Sequence, residues 1–93
     1  MEKLKLKNTF REGTKKAILL DMMIENSYAK REDLIKAINP EFYQPFLNQP
    51  ALVKRERLNL SYLISKINRL LPEGYETALN IKQDSYRIRE KHR

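Results

Sequence analysis

The chain contains no cysteine and no tryptophan, only one histidine and only two glycines. Without cysteine there is neither a disulfide nor a thiolate metal site. The core must stand on packing alone, which points to a reducing, cytoplasmic setting. His92 has no second histidine or cysteine to join it in a metal cluster, and it offers no credible base for a nucleophile. Gly13 and Gly74 are isolated, so no glycine-rich loop cradles a phosphate. Glu32 and Asp33 are neighbours that point in different directions on a helix, and they complement a helix dipole better than they form an acid pair. Neither enzymatic activity nor a cofactor nor a metal is expected. No apolar run approaches the roughly 20 residues that span a bilayer, and MEKLKLKNTFREG lacks the apolar centre of a signal peptide. The expectation is a protein neither inserted into a membrane nor exported.

What is present suits one small domain. Ninety-three residues bury a single modest core, and 41% hydrophobic with 33% charged residues fits a folded, helix-rich protein. Nineteen Lys and Arg against twelve Asp and Glu leave a formal charge of +7, which favours polyanionic partners: nucleic acid or an acidic protein surface.

The apolar spacing predicts the order of elements. Residues 1–13 form an N-terminal arm or short strand, since EKLKLK alternates with period two. Thr14 caps a helix over KKAILLDMMIEN, apolar over most of its circumference and therefore central to the core. NSYAK is short enough to join two helices at a sharp angle. A second helix follows over 30–38, with Leu34, Ile35 and Ile38 as its stripe and Pro40 stopping it. Asn39 and Pro40 can open a short helix carrying Phe42, Tyr43, Phe46 and Leu47, which Pro50 ends. Asn59 caps a further helix over 60–71, stopped by PEG, where Gly74 is free to adopt a positive φ. Residues 77–82 and 86–89 then read as strands joined by Gln83, Asp84 and Ser85, and 90–93 as a frayed tail.

A helix-turn-helix followed by a hairpin is the winged-helix plan: α+β, mostly α, with three helices, or four if 42–47 forms its own, and a C-terminal β-hairpin wing. Three stretches carry a more specific likeness. KREDLIKAI resembles the second helix of the DNA-binding effector domains of OmpR/PhoB-type bacterial response regulators, LISKINRLL their third, DNA-reading helix, and SYRI the tyrosine-containing second strand of their wing. The resemblance covers roughly residues 14–88 and implies a duplex-DNA-binding protein that acts in transcription. There are departures. The family's N-terminal four-stranded sheet does not fit into thirteen residues, Ser85 replaces the usual glycine before the wing tyrosine, and Asn68 stands where arginine is common. No receiver domain is expected beside the stretch, so control by phosphorylation is not carried over.

Turning Leu60, Ile64, Ile67 and Leu71 inward at about 100° per residue turns Tyr62, Ser65 and Arg69 outward, with Ser61 and Lys66 beside them and no carboxylate on that face. Such side chains suit a major groove, whereas an ordinary solvated face mixes both charge signs. Lys54, Arg55 and Arg57 precede the helix, where the chain would cross the DNA backbone. Lys82 and Arg87 flank the hairpin tip and suit a wing lying at 82–87 along an adjacent groove. Asp84 is explained by turn chemistry, and Tyr86 by packing against the reading helix. The partner expected is double-stranded DNA, bound singly, as a homodimer or in tandem.

The rival is a phage- or plasmid-type module that holds RNA polymerase or another regulator through Phe42, Tyr43 and Phe46. RNA binding is disfavoured because no aromatic residue is interleaved with the basic strand positions.

Overall fold

The computed structural model describes residues 6–26, 28–41 and 48–91. Among them, three helices and a three-stranded antiparallel sheet follow one another as α1 (Lys15–Glu25), β1 (Ala29–Lys30), α2 (Arg31–Ile38), α3 (Pro50–Leu70), β2 (Tyr75–Asn80) and β3 (Ser85–Glu90). The sheet order is β1-β3-β2.

Helix α1 begins where the sequence predicts. The Ala17 N–H donates to Thr14 Oγ1 at 3.3 Å, satisfying one of the four amides that a helix start leaves open. Its Leu19, Leu20 and Met23 are buried against Leu34 and Ile35 of α2, Leu60, Ile64 and Ile67 of α3, and Ala29, Tyr86 and Ile88 of the sheet. One core therefore holds five of the six elements together, and Tyr75 of β2 packs against it half-buried. At about 25 cal/mol per Å² of apolar surface, that shared burial supplies most of the drive to fold.

Three boundaries differ from expectation. Helix α3 starts at Pro50, ten residues before residue 60, because proline at the first helical position ends nothing: its fixed φ suits the first turn and its missing N–H would be unpaired there anyway. Asn59 is consequently an exposed mid-helix residue rather than a cap. The linker NSYAK is no plain helix-helix turn, because Ala29 and Lys30 pair with Tyr86 and Ser85 as the sheet's third strand. The hairpin strands are shifted and lengthened to 75–80 and 85–90, leaving residues 81–84 as the turn. Leu6 and Lys7 adopt no strand, and residues 1–5 of the proposed N-terminal strand lie outside the described residues. So does the proposed short helix over 42–47.

The chain leaves α3 through Leu71, whose backbone is extended as its position before Pro72 requires. Gly74 then turns it into β2 at φ +99°; a side chain there would meet nothing within 4 Å, so the backbone angle rather than space calls for glycine. Asn68 Oδ1 accepts the Thr77 N–H at 2.9 Å, pinning the start of the hairpin to the end of α3.

Candidate nucleic-acid interface

Helix α3 has 21 residues and is therefore about 31 Å long. Its inner stripe is fixed by the burial of Leu60, Ile64 and Ile67. On the opposite side, Arg55, Leu58, Tyr62, Ser65 and Arg69 recur at steps of three and four and are all exposed. Lys54 and Lys66 flank the line, also exposed, and the Lys66 ammonium lies 4.5 Å from the Tyr62 ring centroid. The acid-free outer face expected for residues 60–71 thus continues one further turn and more, back to Lys54. Glu56, the helix's lone acid, is half-buried off this line, in a pocket that it lines together with Asn39, Tyr62 and Leu63.

Not every expected interface residue shares this face. Ser61 is half-buried and points at the hairpin, its Oγ 3.3 Å from the Tyr86 hydroxyl. Arg57 reaches the other way from the outer line, with Nη2 3.4 Å from Asp84 Oδ2. Lys82 is exposed at the tip, next to Ile81, which is 80% exposed. Arg87 lies inside β3 rather than at the tip; it is directed away from α3 and sits 5.7 Å from the Tyr28 ring. The structure therefore gathers Lys54, Arg55, Tyr62, Ser65, Lys66 and Arg69 on one face, sets Lys82 on the adjoining tip, and places Arg87 on a different surface.

Asp84 organises the join between tip and helices. It adopts a positive φ of 52°, which Asp tolerates better than most residues, as the turn chemistry implies. Its carbonyl accepts the Arg31 N–H at 2.9 Å, and its carboxylate pairs with the Arg31 guanidinium and with Arg57. One turn residue thus ties the hairpin to the first residue of α2 and to the first half of α3. Sequence reasoning missed this contact and Arg31 altogether. The partners are 53 and 27 residues apart and no local pattern marks them.

Beside that join lies an open cavity of about 550 Å³. Pro50, Val53 and Leu58 form its apolar wall and Arg31, Lys54 and Arg57 its cationic rim. Two of these cations, Arg31 and Arg57, are the ones paired with Asp84. Among the described residues, no group of three His, Cys, Asp or Glu side chains is placed to hold a metal ion, and no helix is long and apolar enough to cross a membrane.

Compared with known proteins, the chain matches no family model, and no curated protein or solved structure is significantly similar to it.

Proposed function

We propose that the protein binds double-stranded DNA sequence-specifically, as a small transcriptional regulator, with α3 in the major groove and the hairpin as a wing whose tip lies on a neighbouring groove. The observation that carries this reading is the outer face of α3. From Lys54 to Arg69 it presents four cations, a tyrosine and a serine, and no carboxylate, over about 22 Å of helix. A major groove about 12 Å wide admits such a helix. Arg and Lys meet guanine acceptors or phosphates there, while Ser and Tyr bond base edges or the backbone. The order helix, strand, helix, helix, hairpin, with the first strand beside the last, is also consistent with the layout of a winged helix, whose second and third helices would be α2 and α3. The Asp84 contacts support the same picture, since a wing reads DNA in register only if its tip is held relative to the reading helix.

Arg69 and Lys54 separate base reading from backbone contact. Arg69→Ala is expected to relax sequence preference as well as affinity, with about 1–3 kcal/mol lost on the preferred site. Lys54→Ala should weaken binding to all duplexes alike. Selection of bound duplexes from a random library, followed by titration of both variants, measures this. Equal losses on every sequence for both variants would remove Arg69 from base reading.

Leu58, 62% exposed on the same line of α3, favours a second reading. Together with Tyr62 it gives that face an apolar centre suited to a protein partner, such as RNA polymerase or another regulator. Retention of a protein partner after nuclease treatment, with loss on Leu58→Ala and no duplex affinity, would select it.

A further inference from the structure

The solvent side of the sheet carries a second arrangement, which α3 does not use and which meets the hairpin tip at Lys82. Strand register places Lys30, Arg87 and Arg89 on this side, with Tyr28 directly before β1 and beside Arg87. Tyr28 is 48% exposed although it is aromatic, and its neighbour is a guanidinium rather than a core side chain. The one acid on these strands facing the same way within the sheet, Glu76, is engaged by Arg89 through two N–H groups at 3.1 and 2.9 Å. A shallow groove of about 350 Å³ runs from Tyr28 to Lys82 at the tip, with Arg87 and Arg89 along it and the exposed Leu79 and Ile81 as apolar patches in its wall.

An aromatic platform set in a cationic groove is the pattern by which proteins hold unpaired strands. Bases stack on the ring, phosphates follow the cations, and the unsatisfied edges of the bases stay in water. A duplex offers no base face to such a platform, because its bases are already stacked on one another. The tyrosine and the basic strand positions are far apart in sequence, and only the pairing of β1 with β3 brings them together.

We infer that the outer face of the sheet is a binding site for single-stranded DNA, with one base stacked on Tyr28 and its flanking phosphates on Arg87, Lys30 and Lys82. Lys82 belongs to both surfaces, so the groove is continuous with the proposed duplex face, and a strand unpaired next to the bound duplex reaches it without leaving the protein. The site does not require the duplex reading to be correct.

The test is fluorescence anisotropy with the intact protein and a labelled oligothymidylate of about 12 nucleotides, a length within the usual site sizes. A uridine oligomer of the same length and a duplex are titrated beside it. Tyr28→Ala is expected to weaken oligothymidylate binding about ten- to hundredfold, the range for losing one stacked base. Tyr28→Phe, which keeps the ring, should retain affinity. Arg87→Ala should weaken the oligothymidylate and reduce the salt dependence of its binding, while neither Tyr28 variant changes duplex affinity. Arg69→Ala, on the other surface, should leave oligothymidylate binding intact. Thermal unfolding of each variant separates loss of binding from loss of fold. Absence of oligothymidylate binding, or equal affinity for Tyr28→Ala and Tyr28→Phe, overturns the site. A preference of about tenfold or more for the uridine oligomer overturns its assignment to DNA. If duplex binding fails while the Tyr28-dependent binding persists, the duplex reading falls and this site remains.

Discussion

Removing the charge of Asp84 tests how the hairpin is held. Asp84→Asn keeps a short side chain that tolerates the positive φ, so the backbone stays at little cost and only the ion pairs are lost. The Arg31 side chain is 21% exposed and that of Asp84 39%, so this pair lies between the buried and solvent-exposed limits. Hydrogen bonds to charged groups contribute about 1.5–3 kcal/mol when shielded, and exposed ion pairs about 0.2–1 kcal/mol. Discounting for this exposure leaves about 1 kcal/mol for Arg31 and a few tenths for the more exposed Arg57. For a domain of this size about 1 kcal/mol lowers the melting temperature by roughly 4–8 °C. Thermal unfolding followed by circular dichroism reads this directly, and the difference should shrink at about 1 M salt, where screening is short-ranged. A double-mutant cycle with Arg31→Ala isolates the pair. The substitution also frees two guanidinium groups beside α3, so it is expected to strengthen low-salt duplex binding even as it loosens the fold. A variant as stable as the parent, or one whose loss is unchanged after Arg31→Ala, would refute the claim that Asp84 ties the hairpin to the helices.

Two further substitutions probe the interior. Leu60 is fully buried where α1, α2 and α3 meet, so Leu60→Ala should cost about 2–5 kcal/mol in a denaturant titration, and a cost below about 1 kcal/mol would contradict its central position. Ser85 is 1% exposed and its hydroxyl has no hydrogen-bond partner among the described residues, so Ser85→Ala should stabilise the protein by up to about 1 kcal/mol; clear destabilisation in the same titration would show that the hydroxyl is satisfied.

The elements legible in the sequence were those specified by their own residues. Thr14 announces α1 because its hydroxyl must meet a local amide, and the spacing of Leu60, Ile64 and Ile67 announces the inner stripe of α3 because burial repeats with the helical turn. What escaped depends on contacts between distant segments. Two residues of β1 have no periodicity to detect; they form a strand only because β3 lies beside them. The start of α3 was misplaced for a different reason. Proline is compatible both with ending a helix and with opening one, and local pattern does not distinguish the two at Pro50. The interface divided in the same way. The outward direction of Tyr62, Ser65 and Arg69 followed from periodicity, while the diversion of Arg57 to Asp84, the inward turn of Ser61 and the meeting of Arg87 with Tyr28 follow from tertiary structure.

Duplex affinity measured against salt tests the central proposal most directly. Lys54, Arg55, Lys66, Arg69 and Lys82 are exposed on the α3 face and the adjoining tip. If they neutralise about four or five phosphates, log affinity should fall against log salt with a slope of roughly −4. A slope near zero, or no salt-sensitive binding to any duplex, would contradict the account.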